Sequence, residues 1–255
     1  MKKLFLSSTI GALSGSAALA GGYAAPVVEQ PVVAMTTAPA PAGNWSGGYV
    51  GGNLTWGRAE VKANDRLFNG LSDVIYDETG YDFAAGELRD LLGKTISKPD
   101  GVGGALRAGY DWQSGSVVYG VGGEYNLGKI DGGLEGGWRE GLDLINEALD
   151  ENIDPTVEIS KAATLFGRVG YAAGDWMPYA LLGYTWADGK VSLLGETAKA
   201  DLKGITAGIG AERRFGDNWS GYGEWAYTNF GDVKDADKAI EVKMNQVKLG
   251  VNYRF

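Results

Sequence analysis

Residues 247–255 read Val-Lys-Leu-Gly-Val-Asn-Tyr-Arg-Phe, and this last stretch carries the pattern that decides the fold. Apolar residues at the odd positions alternate with Lys248, Gly250, Asn252 and Arg254. Successive side chains of a β-strand point to opposite faces, so the alternation predicts a strand with one apolar and one polar face. Similar segments, rich in Gly, Val, Ala, Tyr and Trp, occur at about 45–58, 101–113, 116–128, 157–172, 176–188, 201–215, 219–231 and 241–255. The sequence therefore predicts an all-β domain of eight strands.

The connections between these predicted strands alternate in length. Those after the first, third, fifth and seventh strands are long and cover residues 59–100, 129–156, 189–200 and 232–240. Those after the second, fourth and sixth are tight turns at Ser114-Gly115, Ala173-Gly174-Asp175 and Gly216-Asp217-Asn218. A soluble sandwich has no physical reason to place every tight turn at one end, whereas an outer-membrane barrel has short periplasmic turns and long extracellular loops. We therefore predict an eight-stranded antiparallel transmembrane up-and-down β-barrel.

Aromatic residues cluster where the predicted strands meet the tight turns. Amphipathic rings prefer the headgroup level of a membrane, so this cluster predicts an interfacial girdle. The alternative is that aromatic residues simply favour strands, but that preference does not explain their clustering at strand ends. The predicted girdle consists of Trp45, Trp112, Tyr171, Trp176, Phe215 and Trp219.

The N-terminal residues predict export. Lys2 and Lys3 precede an apolar stretch that ends in Ala18-Leu19-Ala20, the pattern of a signal peptide with its cleavage site. The alternative, a short transmembrane anchor, is disfavoured by the serines that dilute the stretch. Residues 21–43 are rich in Pro and Ala and predict an extended periplasmic tether. We therefore divide the chain into a cleaved signal at 1–20, a tether at 21–43 and a barrel at 44–255.

Composition excludes several classes of function. The chain has no Cys and no His, which excludes disulfides, thiol nucleophiles, Ser-His-Asp triads and His-based zinc sites. The formal net charge of −9 argues against nucleic acid as a partner, because phosphate binding needs a basic surface. We predict no cofactor, no metal site and no catalytic residues.

Charged residues fall on the phase of the predicted strands that faces the lumen. Charge facing lipid near the bilayer midplane would cost about 2–4 kcal/mol, so confinement to the inner phase is expected. Because eight strands enclose a space that side chains just fill, we predict a lumen largely closed by ion pairs. The alternatives are a narrow porin-like channel and, more remotely, a membrane-embedded enzyme that uses a carboxylate pair. The predicted network comprises Arg107, Glu124, Arg168, Glu212, Arg214, Glu224 and Lys248.

The two longest connections predict short helices and an acidic surface. Leu142, Ile145 and Leu149 have helical spacing before Pro155, and residues 84–96 allow a second helix. Divalent ions could bridge the loop carboxylates to each other or to lipopolysaccharide. The simpler interpretation, a solvated acidic exterior, is favoured because the sequence contains no calcium-loop spacing.

The motifs at both ends of the predicted barrel resemble those of a known family. The motifs are residues 45–53, Trp-Ser-Gly-Gly-Tyr-Val-Gly-Gly-Asn, the two Arg-x-Gly-Tyr strand ends at 107–110 and 168–171, and the terminal Asn-Tyr-Arg-Phe. They are similar to those of small outer-membrane β-barrels of Gram-negative bacteria, the opacity-type surface antigens and their α-proteobacterial relatives. The resemblance implies residence in the outer membrane. It also implies that the assembly machinery reads Phe255 as a signal.

The resemblance implies the activity only broadly, because members are surface antigens, adhesins, narrow channels and envelope-stabilising proteins. From this range we expect a structural or surface-interaction role. The expected partners are outer-membrane lipid and lipopolysaccharide, the assembly machinery, and a host or envelope protein that meets the extracellular loops.

Overall fold

The computed structural model describes residues 43–82, 84–150, 153–193, 196–232 and 239–255. The predicted signal peptide and all of the predicted tether except Gly43 lie outside these residues. Within these residues, ten strands form one sheet: β1 Gly47–Ala63, β2 Thr95–Ser97, β3 Asp100–Ser114, β4 Val117–Asn126, β5 Lys129–Gly132, β6 Thr156–Tyr171, β7 Trp176–Leu193, β8 Glu196–Arg214, β9 Trp219–Asp232 and β10 Ile240–Arg254. The described parts of the connections contain three helices: α1 Asp65–Thr79, α2 Ala85–Leu92 and α3 Gly137–Leu149.

Eight of these strands close into an antiparallel barrel, as the sequence predicts. The sheet order runs β1-β10-β9-β8-β7-β6-β4-β3, and β3 pairs again with β1. At the closing seam Tyr49 lies opposite Arg254 on one side and Gly109 on the other. The short strands β2 and β5 extend the sheet from the two longest connections. Closure pairs the backbone groups of every barrel strand, which a membrane interior requires.

Burial alternates along the strands with the predicted phase. On β10, Leu249 is 68% exposed toward the lipid side, whereas Lys248 is only 3% exposed. Within the described residues, no helix is long and apolar enough to cross a membrane.

The tight turns after β6 and β8 lie where the sequence predicts them, and the turn after β3 lies one residue later, at Gly115-Ser116. Gly115, Gly174 and Gly216 have φ values of 60°, 61° and 123°, which favour glycine. The predicted long loop at 189–200 is wrong, because β7 and β8 stay paired as far as Leu193 and Glu196.

The loop helices only partly match the prediction. α3 covers the helical segment around Leu142 that the sequence indicates, and α2 fills only part of the predicted segment 84–96, whose last two residues belong to β2. α1 is an additional helix. The Asn64 side chain caps α1 by accepting a hydrogen bond from the backbone N–H of Arg66 at 3.0 Å. Phe68 of α1 packs near Trp138 of α3, with ring centres 6.0 Å apart. The two longest connections therefore fold into helices that pack on each other.

The predicted girdle is exposed at the end of the barrel with the tight turns, with one exception. Exposed rings there include Trp112, Tyr171, Trp176, Phe215 and Trp219. The assignment of Trp45 to the girdle is wrong, because Trp45 has 0% exposure. Its ring lies inside the barrel mouth, 5.2 Å from the guanidinium carbon of Arg254, and its backbone carbonyl accepts a hydrogen bond from Arg254 Nη2 at 2.6 Å. A ring that lies against a buried cation cannot also face lipid.

Candidate functional site: the barrel interior

The first cluster in the lumen joins four charged side chains from four strands. We call Arg107 of β3, Glu124 of β4, Glu224 of β9 and Lys248 of β10 the upper quartet. Arg107 donates to Glu224 through both terminal nitrogens, at 2.8 and 2.9 Å, and through Nε to Glu124 at 2.8 Å. Lys248 Nζ lies 2.5 Å from Glu124 Oε1 and 3.3 Å from Glu224 Oε1. Because β3 and β9 are not neighbours in the sheet, the bond from Arg107 to Glu224 crosses the lumen.

A second cluster lies nearer the tight turns. We call Asp111 of β3, Arg168 of β6, Glu212 of β8 and Arg254 of β10 the lower quartet. Arg168 donates to Asp111 at 2.9 and 2.6 Å and to Glu212 at 2.9 Å. Arg254 donates to Glu212 at 3.0 Å and to Asp111 at 2.5 Å. Each cation therefore lies between two carboxylates.

Both quartets are buried and charge-neutral, since each contains two cations and two carboxylates. All eight residues are 4% exposed or less. Neutral donors satisfy further carboxylate lone pairs: Tyr179 Oη donates to Glu224 at 2.9 Å, and Ser220 Oγ donates to Glu212 at 2.5 Å. The desolvation cost of a buried ion pair is offset only with such geometry and additional hydrogen bonds.

Aromatic rings fill the space around the guanidinium groups. The carbon of the Arg107 guanidinium lies 4.6 Å from the ring centre of Tyr222, and that of Arg168 lies 4.5 Å from the ring centre of Tyr49. Stacking on an aromatic face stabilises a desolvated cation.

Inward glycines leave the room that these large side chains occupy. A Cβ atom at Gly122 would lie 2.7 Å from Phe166 and 2.8 Å from the Tyr49 hydroxyl. A Cβ atom at Gly120 would meet the carboxylate of Asp111. Only glycine fits at these two positions without displacing the residues that surround the quartets.

Above the quartets, the interior changes from charged to hydroxylic and then to apolar. Thr164, Thr185, Thr206 and Thr228, on four successive strands from β6 to β9, form a threonine row with oxygen–oxygen distances of 2.8, 2.5 and 2.8 Å. Beyond this row the interior is apolar and includes Ile159, Leu202, Phe230, Val242 and Met244. Across the described part of the chain, no group of three or more Asp or Glu residues could hold a metal ion.

Comparison with known proteins places this barrel in a family. Residues 31–255 match the model of the outer membrane protein beta-barrel domain. The chain belongs to that family. It is similar to the 31 kDa outer-membrane immunogenic protein of Brucella melitensis biotype 1, with 28% identity over the whole of both chains.

Two more distant similarities are with a second outer-membrane protein and a solved structure. The 22 kDa outer membrane protein of Rhizobium leguminosarum bv. viciae is 25% identical over 84% of this chain and 80% of that protein. The crystal structure of Neisserial surface protein A covers 82% of this chain and 98% of that chain, with 13% identity and a TM-score of 0.46. As a member of the family, this chain is an outer-membrane protein.

The structure brings together most of the residues that the sequence assigns to the lumen of this outer-membrane barrel. Arg107, Glu124, Glu224 and Lys248 lie in the upper quartet, and Arg168 and Glu212 lie in the lower quartet. The assignment of Arg214 to the network is wrong. Its guanidinium donates to the backbone carbonyls of Asn44 and Asp217 at the barrel mouth rather than to a carboxylate. Near the end of its strand the side chain reaches the turn more easily than the lumen centre.

Sequence reasoning missed two members of the lower quartet. Asp111 has the same phase as Arg107 and stands four residues beyond it on β3, so alternation alone could have added it. The alternation in residues 247–255 places Arg254 on the polar phase but predicts no partner for it. The structure gives it two, Asp111 and Glu212.

The terminal Phe255 lies outside the lumen. Its side chain is exposed, its ring centre lies 5.3 Å from that of Tyr253, and its backbone N–H donates to the carbonyl of Gly48 at 3.0 Å. The predicted role of Phe255 as an assembly signal requires such an exposed side chain next to the end of β10.

Proposed function

We propose that this outer-membrane protein has a structural and surface-interaction role, with a lumen closed by ion pairs and with extracellular loops that contact other molecules. The observation that carries the proposal is the pair of charge-neutral quartets, which join strands on opposite sides of the barrel. A permeating ion would have to separate Arg107 from Glu224 or Arg168 from Glu212. Removing one partner of a buried pair typically costs about 3–5 kcal/mol, so opening the lumen is energetically unfavourable.

The loops are the part of the barrel best suited to meet a partner. Their helices are strongly acidic, and the acidic residues are Asp65, Asp73, Asp77, Glu78, Glu87, Asp90, Glu140, Asp143 and Glu147. The packing of Phe68 against Trp138 gives these charges an ordered support. The Brucella relative is named an outer-membrane immunogenic protein, which supports a role for exposed loops here too. We propose lipopolysaccharide and a host or envelope protein as the partners at this surface, and the outer-membrane assembly machinery as the partner that recognises Phe255.

Conductance of the refolded full chain in a planar bilayer tests the closed lumen. We expect no steady single-channel current, and a heat-dependent gel shift of the same preparation shows that the silent protein is folded. A steady, ion-selective current from folded protein would overturn the closed lumen in favour of a narrow channel.

Antibody labelling of intact cells tests the exposure of the loops. Antibodies raised against peptides 65–79 and 137–149 should label intact cells. Antibodies against peptide 24–42 of the predicted tether should label only permeabilised cells and serve as the control. Labelling by the tether antibody alone would reverse the proposed orientation.

A further inference from the structure

The extracellular part of the barrel contains an apolar cavity of about 240 Å³. Its wall includes Val61 of β1, Val157 and Ile159 of β6, Leu202 of β8 and Val242 of β10. All five side chains are buried. Glu158, Lys190 and Lys199 also border the cavity, but strand alternation places their side chains on the outer face, where Lys190 pairs with Glu158 at 3.2 Å.

The cavity ends above the threonine row and opens away from the membrane. Met244, the next inward position after Val242 on β10, is buried and lies opposite Thr228 of that row. At the other end, Val191 lies on the inward phase of β7 and is nevertheless 44% exposed. The described residues therefore outline a pocket that opens near Val191 and has a closed base.

The dimensions and lining indicate the chemistry of a ligand. An apolar cavity of about 150 Å³ stays dry and binds benzene, so one of this size accommodates about ten non-hydrogen atoms. The side chains that line the cavity from the inner face are all apolar, so the charge of a buried anion would have no partner, and a neutral molecule is favoured over a fatty acid.

From this geometry we propose that the extracellular cavity binds a neutral apolar molecule of the size of an alkylbenzene. The site is separate from the ion-paired lumen. The proposal therefore does not depend on whether the lumen conducts ions.

Fluorine NMR of 4-fluorotoluene with the refolded full chain in lipid nanodiscs tests this proposal. We expect a saturable change in the fluorine signal beyond the partitioning measured in empty nanodiscs. 4-Fluorobenzoate, which carries a charge, should bind at least tenfold more weakly. A signal that rises linearly and matches empty nanodiscs would contradict the site, and equal binding of the anion would contradict the preference for a neutral ligand.

Two tryptophan substitutions on adjacent residues of β8 locate the site. Ala200→Trp fills the cavity from a lining position and should weaken binding at least tenfold. Lys199→Trp places the same ring on the outer face and should keep the affinity within twofold. Both variants must show the heat-dependent gel shift of a folded barrel. Equal loss in both variants would not locate the ligand inside the cavity and would overturn the proposal.

A milder substitution keeps the test available if Ala200→Trp fails to fold. Val242→Thr preserves the shape of the wall but adds a hydroxyl group, which should weaken binding about threefold to tenfold. Unchanged affinity in this variant would contradict a site lined by Val242.

Discussion

Replacing Glu212 by Gln tests whether the lower quartet stabilises the barrel. The Glu212 carboxylate accepts hydrogen bonds from Arg168 at 2.9 Å, from Arg254 and Asn252 at 3.0 Å each, and from Ser220 at 2.5 Å. Gln keeps the volume and one oxygen, but it turns an –NH₂ group toward cations and leaves one positive charge of the quartet uncompensated. Removing one partner of a buried ion pair costs about 3–5 kcal/mol, and because Gln keeps one acceptor we expect about 3 kcal/mol.

The midpoint of urea unfolding measures this effect. With a denaturant slope of about 2 kcal/mol/M, a loss of about 3 kcal/mol lowers the midpoint by about 1.5 M. The matched control is Glu241→Gln, since Glu241 pairs with Lys243 at 2.7 Å on the outer face of β10. Exposed pairs contribute about 0–1 kcal/mol, so the control should shift the midpoint by less than about 0.5 M.

An aqueous path along Glu212 would give the opposite pair of results. The midpoint of Glu212→Gln would then match that of the control, because a solvated charge contributes little to stability. Its reversal potential in a salt gradient would shift toward anion selectivity, because the wall would lose a negative charge. An unchanged midpoint together with a shifted reversal potential would refute the ion-paired lumen.

Three further predictions concern assembly and packing. Unboiled protein should migrate differently from boiled protein on a detergent gel, because the closed barrel resists detergent until it is heated, and identical mobility would contradict closure. Deleting Phe255 should lower the amount of protein in the outer-membrane fraction, whereas the variant Phe255→Trp should keep it at the normal amount. A normal amount of the deletion variant in that fraction would exclude the signal role. Gly122→Ala should cost about 1–3 kcal/mol in urea unfolding, because its Cβ would lie 2.7 Å from Phe166. Gly123→Ala should cost less than about 0.5 kcal/mol, because its Cβ would come no closer than 3.9 Å to Thr164, and equal effects would contradict this packing.

Local spacing makes part of the ion network predictable. Arg107 and Glu124 lie opposite each other because the tight turn at Gly115-Ser116, one residue beyond the predicted turn, fixes the register of β3 against β4. Counting outward from the predicted turn brings Arg107 to within two residues of Glu124 on the same inward phase, so the closeness of the two side chains is predictable without any structure. The contacts from Arg107 to Glu224 and from Arg168 to Glu212 join strands that are not neighbours, so no turn fixes them. They depend on the stagger of the closed barrel, which the sequence does not reveal.

The position of Trp45 shows a different limit. Counting in steps of two from the buried Tyr49 assigns Trp45 to the inward phase, where the structure has it. The prediction of a girdle used the nearness of Trp45 to a strand end and not its phase. In β1 the phase is difficult to assign from sequence, since both faces of that strand carry apolar residues.

The prediction of a long loop at 189–200 is wrong for a physical reason that also explains the apolar cavity. Between Val247 and Val251, β10 is apolar outside and carries Lys248 inside, as a membrane requires. Between Glu241 and Asn245 the pattern inverts, because Lys243 lies outside while Val242 and Met244 are buried. The upper parts of the strands therefore have the polarity of a water-soluble barrel, apolar inside and polar outside. Because the upper parts of β7 and β8 lack an apolar outer face, the criterion of lipid-facing strands assigns them to a loop. The apolar cavity lies inside this upper part of the barrel because only there does the inner face of the strands become apolar.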